Sequence, residues 1–334
     1  MIDKNKLYKV IDNFKNCSVL VVGDIILDEY IWGKAERLSP EAPVPVLEVD
    51  KYDYILGGAA NVANNIKSLG GKVSLAGVIG NDLQGEKLRE ILSSNDIDNS
   101  CLINDFHRPT TVKTRLLAHN RQQLVRFDRE VKTLIPRETE VKLIQKIVDC
   151  APAVDLILVS DYAKGVLTET FLKKIISLAK EMNKPVLIDP KGLDFTKYCG
   201  ATLITPNRLE AAQATKSARD SAPVELARKI RQQMNVEHVL VTLGEEGILI
   251  SSEDKIKTIP AVTSEVYDVT GAGDSLISGI SLSLIATEGD LEASVIIGNY
   301  AAGVAVRKIG TTAVTPEELK NIIELHLMER TITV

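Results

Sequence analysis

The sequence predicts an α/β fold: one domain with a mostly parallel central sheet covered by helices on both faces, carrying a small β-sheet as an attachment. Three observations predict it. Short Val/Ile/Leu runs, DLILVS (155–160), PVLIDP (185–190), ATLIT (201–205) and HVLVTLG (238–244), alternate with amphipathic stretches, the pattern of parallel strands buried on both sides. From Thr110 the run TTVKTRLLAHNRQQLVRFD is β-branched and alternating, with a polar HNRQ turn between its halves, and reads as a hairpin. The length, 334 residues, suits one large core with a smaller attachment.

The elements follow in order. MIDKNKLYKVIDNF is charged and amphipathic rather than a signal peptide. CSVLVVGDIILDEYIWG opens with a strand, Val19 to Val22, expected to end at Gly23 before Asp24 and Asp28. AERLSPEAPVPVLEV holds Pro40, Pro43 and Pro45 but dissolves into Val44, Val46, Leu47 and Val49, a strand-like run; proline is tolerated at sheet edges and strand starts. Gly57 and Gly58 precede a helix closed by Gly70 and Gly71. KVSLAGVIG is a buried strand, and DLQGEKLREILSS a helix with Asp82 as N-cap. Helices are expected near 137–150, 168–183, 207–214 and 221–234, then 271–286, 290–306 and 315–328 at the C-terminal end. The whole of 1–334 reads as one domain, with the β attachment built from insertions at about 33–54 and 108–129.

Composition excludes several classes. Apolar residues make up 45% and charged residues 25%, ordinary for a soluble protein. A net charge of −5 gives no basic footprint for nucleic acid. No apolar run approaches the roughly 18 residues of a membrane span. Cys17, Cys101, Cys150 and Cys199 are scattered without CxxC or zinc spacing, so four reduced packing residues and a cytoplasmic location are expected.

Three segments carry chemistry. In DVTGAGDSLISGI, Gly271, Ala272 and Gly273 open a helix whose bare N–H groups and dipole suit an anion. Asp274 follows within the first turn, where a carboxylate would repel a phosphate. It serves either as a complement to the helix dipole or as a general base that deprotonates an attacking hydroxyl. In TPNRLEAA, Asn207 and Glu210 have capping-box spacing, and the same groups suit phosphates and a hard cation reached through water; both readings hold together. In GGAANVANN, the glycines permit close backbone approach, and Asn61 and Asn64 lie about one helical turn apart, offering donors and acceptors for sugar hydroxyls; taken alone, the segment reads as a glycine turn before an ordinary small-residue helix.

Together these segments resemble the ribokinase-like (PfkB-type) carbohydrate kinases, over nearly the whole chain. GGAANVANNIKSLGGKVSLAGVIGND resembles the N-terminal signature of that family and DVTGAGD its C-terminal one. The resemblance implies a ribokinase-like three-layer fold with a β lid, Asp274 as catalytic base, and Gly271, Ala272 and Gly273 as anion hole. It implies ATP and Mg²⁺ bound near Asn207, Glu210 (indirectly to the metal), Thr242, Gly244, Gly247 and Asn299. Asp28, Gly57, Gly58, Asn61 and Asn64 are the implied sugar site, and the resemblance admits a monovalent cation near Asp268. RLSPEAPVPVLEV, RQQLVRFDRE, SDYAKGVLT and VLIDPKG are similar to one branch, the D-glycero-D-manno-heptose 7-phosphate kinases, which make heptose 1,7-bisphosphate for the ADP-heptose of lipopolysaccharide. Lys164 and Lys191, each following a parallel strand, are then expected at the 7-phosphate, with Lys113, Arg115 and Arg126 of the hairpin as further cations. The stand-alone form of that kinase is expected, with a separate nucleotidyltransferase as partner, and a homodimer paired through the lid. A kinase for fructose- or ribose-type sugars, and a catalytically silent sugar-binding regulator, are the alternatives.

Overall fold

The computed structural model describes residues 4–119, 122–262, 266–308, 310 and 312–332, with side chains through Met328. Two residues of the HNRQ turn, 120 and 121, lie outside the described residues.

Strand β1 (Ser18–Leu38) is the spine of the molecule. Its first part runs parallel to β3 (Lys72–Gly80) on one side and β7 (Leu156–Ser160) on the other. From β7 the sheet continues in parallel through β8 (Val186–Asp189), β9 (Leu203–Ile204) and β10 (His238–Thr242). It ends in the antiparallel β11 (Ile248–Ser251) and β12 (Ile256–Ile259); at the other edge β4 (Asp98–Asp105) pairs in parallel with β3. Alternation along β1 divides the core. Val19 and Val21 pack with α1 (Lys4–Asp12), α2 (Ala59–Ser68), α8 (Ala272–Ala286), α9 (Leu291–Ala305) and α10 (Pro316–Ile332). Leu20 and Val22 face α4 (Arg137–Cys150), α5 (Glu169–Glu181), α6 (Arg208–Ala214) and α7 (Pro223–Met234). These two cores give the layers on either side of the sheet.

Local signals set the helix starts. Asp82 accepts from Gly85 N–H at the head of α3 (Leu83–Ser94), Thr168 from Phe171 N–H, and Asp290 from Ala293 N–H, each satisfying an orphan first-turn donor.

Strand β1 does not stop at Gly23. It continues into a second sheet, where β2 (Pro45–Gly58) pairs antiparallel with it and β5 (Thr111–Ala118) parallel, and β6 (Gln123–Arg129) closes the hairpin with β5. Glycine at 23 reflects close strand approach rather than a strand end. A Cβ there would lie 2.1 Å from the Ser160 carbonyl oxygen, and Gly77 on β3 is glycine for a matching reason, 2.6 Å from the Gly23 carbonyl oxygen. The proline segment feeds β2, so 33–54 and 108–129 fall within or beside this second sheet. Strands β4, β11 and β12 are additions to the elements expected from sequence.

Cys101 of β4 and Cys150 of α4 form a disulfide, which corrects the expectation of four reduced thiols; Cys17 is buried and Cys199 exposed. Among the described residues no helix is long and apolar enough to cross a membrane.

Candidate active site

The site is built where α8 begins. Gly271 is its N-cap in the left-handed region (φ 79°), which a residue with a Cβ rarely adopts. Ala272 N–H bonds to the Val269 carbonyl at 3.2 Å. Gly273 and Asp274 lie in the first turn, where a helix leaves N–H groups without intrahelical acceptors. Gly273 is exposed, and a Cβ on it would meet nothing within 4 Å; Asp274, the next residue, is buried. The exposed Gly273 at the start of α8 therefore lies beside a carboxylate drawn into the protein.

Both oxygens of that carboxylate are held. Asn61 Nδ2 donates to Oδ2 at 2.6 Å and the Tyr162 hydroxyl donates to Oδ1 at 2.9 Å. Burial pushes the Asp274 carboxyl up to about 6; these two donors oppose the rise, the Asp28 charge adds to it, and Lys113 opposes it.

Asp28 lies on β1 in the row Ile55, Asp28, Lys113, Asp128, so these side chains share the face of the second sheet turned toward α8. It is buried and paired with Arg115 at 2.5 Å. Gly57 explains how it fits: a Cβ there would sit 2.4 Å from Asp28 Oδ2. Gly58 (φ 56°) is the N-cap of α2, and a Cβ on it would meet the Asp24 carbonyl oxygen at 2.5 Å. Along α2, Asn61 reaches the site, but the second buried asparagine facing α8 is Asn65, which accepts from the Ser275 hydroxyl at 2.9 Å. Asn64, expected beside Asn61, is half-buried and makes none of the bonds joining α2 to α8.

The loop after β7 brings Tyr162 and Lys164. Asp24, fully buried, accepts from the N–H groups of Tyr162 (2.9 Å), Lys164 (3.0 Å) and Val166 (3.3 Å), and so shapes this loop. Lys164 is paired with Glu130 at 2.5 Å and Lys191 with Glu210 at 2.6 Å, so both cations expected at a substrate phosphate already have carboxylate partners. Lys113 lies over the Tyr162 ring, 5.7 Å from its centroid, and desolvation lowers its pKa. Arg126 is exposed and pairs with Asp128 at 3.0 Å.

At the other end of the crevice, Asn207 and Glu210 form a complete capping box. Asn207 Oδ1 accepts from Glu210 N–H at 2.9 Å, and Glu210 Oε2 from Asn207 N–H at 3.0 Å. Thr242, at the end of β10, bridges to Asn207 and donates its N–H to the Pro206 carbonyl at 3.0 Å. Gly244 (φ 64°) and Gly247 (φ 97°) flank the turn that follows. Gly244 opens onto free space, whereas a Cβ on Gly247 would meet the Ile259 carbonyl oxygen at 2.0 Å. Asn299 on α9 is buried and donates to the Pro260 carbonyl at 2.8 Å. Among the described residues no group of three or more His, Cys, Asp or Glu is placed to chelate a metal. The donor set around Glu210 fits a metal held mainly by phosphate and water rather than by the protein.

A cavity of about 450 Å³ lies between the second sheet and the loop before α8, lined among others by Tyr30, Trp32, Arg115, Gln123, Asp268 and Thr312. Asp268 accepts from Thr270 N–H and hydroxyl through Oδ1 and from Gly310 N–H through Oδ2, and these bonds lower its pKa against the opposing effect of burial.

Sequence reasoning passed over Tyr162, Asn65 and Asp24 as site or scaffold residues. The signal for Tyr162 was its place in DYAKG, the strand-end loop from which only the lysine was taken. Asn65 was hidden by helical phase, since positions three and four residues on from Asn61 are both close to it.

A family model described as pfkB family carbohydrate kinase matches residues 17–318. The chain is 45% identical over 307 residues to the bifunctional protein HldE of Helicobacter pylori (strain Shi470), covering 91% of this chain and 66% of that one. It thus spans about two thirds of the length of this curated relative. Phosphofructokinase-2 from Escherichia coli in complex with potassium superposes with a TM-score of 0.75 at 19% identity, covering 93% of this chain and 99% of that chain. Ribokinase from Arabidopsis thaliana complexed with ribose and ATP superposes with a TM-score of 0.70 at 16% identity, covering 92% and 99%. At these identities the two structures establish a shared fold, the ribokinase-like α/β architecture.

Proposed function

The chain belongs to the pfkB family of carbohydrate kinases, and from that premise we propose that it transfers the γ-phosphoryl group of ATP to the anomeric hydroxyl of D-glycero-D-manno-heptose 7-phosphate. The observation that carries the reading is the pairing of the glycine-rich helix start at Gly271–Gly273, with Gly273 exposed, with the buried, doubly hydrogen-bonded carboxylate of Asp274. An acceptor hydroxyl beside that carboxylate faces a phosphate on the amides. Asp274 takes the hydroxyl proton as the oxygen–phosphorus bond forms and the bond to the ADP oxygen breaks. The glycine amides offset charge growing on the transferred group. Asp28 and Asn61 orient the sugar, with Gly57 and Gly58 letting it approach the backbone. Gly244, Gly247, Thr242 and Asn299 border the nucleotide. Glu210, positioned by Asn207, would hold Mg²⁺ through water, and the metal when bound supplies charge neutralisation on the phosphates. A monovalent cation is assigned to the Asp268 loop.

The heptose assignment is supported by the similarity to HldE over most of this chain. The inward face of the second sheet supports a phosphorylated acceptor, because Lys113, Arg115 and Arg126 lie there in adjacent rows. We assign the second phosphate of the sugar to this face, with Lys164 and Lys191 contributing if their carboxylate partners release them. The second sheet then acts as the lid over the sugar. Its outward face carries the row Tyr52, Ile31, Leu116, Val125, with Tyr52 54% and Val125 46% exposed, which supports pairing of two lids in a homodimer. Attachment of a nucleotide to the product is assigned to a nucleotidyltransferase activity and not to this kinase fold.

The test is ATP consumption against a panel of sugar phosphates, with the product position read by phosphorus NMR. A new anomeric phosphate formed on heptose 7-phosphate well ahead of fructose and ribose phosphates is expected. Preference for one of those others would replace the sugar assignment, and no turnover on any sugar would favour a silent binding protein.

A further inference from the structure

We propose that Tyr162 is a positioning residue for the transfer, its hydroxyl fixing the orientation of the Asp274 carboxylate and favouring its anion. The inference rests on the reading of Asp274 as the base. Three contacts carry it. The hydroxyl donates to Asp274 Oδ1 at 2.9 Å, while Asn61 occupies Oδ2, so the plane of the carboxylate is set from two sides. The tyrosine is itself held, its N–H on the buried carboxylate of Asp24 and its ring beneath the Lys113 ammonium. Asp161 next to it is buried and fixed by Tyr198 and Lys197, so the loop has little freedom to swing the ring away.

Charge explains why such a donor is needed. Asp274 is faced by Asp28 from β1, itself paired with Arg115, and by Lys113 from β5, with neutral Asn61 from α2, while burial holds the carboxyl of Asp189 at the end of β8 well above its ordinary range. Burial and the Asp28 charge both disfavour a further anion in this place. A phenol that donates to the anion but keeps its own proton offsets that field without adding charge. Burial and the neighbouring carboxylates hold the Tyr162 phenol well above its ordinary range, so it remains a donor at neutral pH.

The experiment is a carbon-13 titration of the Asp274 side-chain carboxyl in the full chain without substrates, its signal identified by its loss in Asp274→Asn. Tyr162→Phe keeps the ring and backbone anchor, and should raise the titration midpoint by about one pH unit, the scale of one charge-assisted hydrogen bond. The acid limb of kcat/KM should move by the same amount, with KM for ATP unchanged. Site-specific 3-fluorotyrosine at Tyr162 keeps the shape and strengthens the donor, and should move the midpoint the other way. A midpoint unmoved in both proteins overturns the inference, while loss of turnover in Asp274→Asn leaves the base reading standing. Turnover retained in Asp274→Asn overturns the base reading and this inference with it.

Discussion

The Asn61 side-chain amide donates to Asp274 Oδ2 at 2.6 Å, across 213 residues of sequence. Asn61 sits in the first turn of α2 and Asp274 in the glycine-rich start of α8. The two sequence signatures are therefore parts of one site, joined by a direct bond between their polar residues. A second bond, from Ser275 to Asn65, fixes the two helices in the same register.

Asp274→Asn should retain the fold, because an amide of the same shape can still meet Asn61 and Tyr162 after a flip. It should lower kcat by roughly 10²–10⁴, the usual contribution of a general base, with little change in ATP binding. Steady-state kinetics beside nucleotide titration check this, and near-normal turnover would remove Asp274 from the mechanism.

The pH profile follows from burial. With the Asp274 carboxyl pushed up to about 6, the group is protonated and unable to accept a proton below that pH. The kcat/KM should therefore fall on the acid side with a midpoint near 6, well above an ordinary aspartate. A flat profile down to pH 5 would contradict it.

Gly57→Ala tests the sugar end. The added Cβ would lie 2.4 Å from Asp28 Oδ2, so the carboxylate must move and its pair with Arg115 must change. Since Gly57 and Asp28 belong to the second sheet and Gly244 follows β10 of the central sheet, KM for the sugar should rise by about tenfold or more while KM for ATP stays within a factor of two, about the scale of one lost charge-assisted hydrogen bond. Equal effects on both substrates would argue for general disruption.

Asp24→Ala tests the scaffold. It leaves the N–H groups of Tyr162, Lys164 and Val166 without their acceptor at a fully buried place. With unsatisfied buried groups costing 1–3 kcal/mol each and some relaxation, a loss of about 3 kcal/mol in urea unfolding is expected. A change below about 1 kcal/mol would mean that water replaces the carboxylate.

Much of the fold was legible because burial on both faces writes itself as unbroken Val/Ile/Leu runs, as in β7, β8 and β10. The helix at Arg208 was legible from Asn207 and Glu210, whose capping box forms as its spacing implies. Gly23 misled because glycine marks both strand ends and close backbone approach, and only the neighbouring strand decides which. Lys164 and Lys191 each carry a partner that the sequence does not show. Their carboxylate partners, Glu130 and Glu210, come from other elements, and sequence spacing does not report a charge pair made through the fold. Tyr162 stayed hidden because a hydroxyl that acts on another side chain has no motif of its own.

The outward face of the second sheet yields the last prediction. Tyr52, Ile31, Leu116 and Val125 form an apolar row across all four strands, and Phe127 adds to it at 52% exposure. The inward face of the same strands is mixed, with Asp28, Lys113, Arg115 and Arg126 beside Ile55, Tyr30 and Trp32. An exposed apolar row of this kind marks a contact surface. Pairing with the same face of a second copy covers the row and satisfies both sides. Charges placed at its two ends, Tyr52→Lys with Val125→Lys, would meet their own kind across a two-fold axis and should give a monomer by analytical ultracentrifugation where the unaltered chain should give a dimer. The variant should keep its unfolding midpoint within a few degrees, since both positions are already half-exposed. A monomeric unaltered chain at micromolar concentration would rule the pairing out.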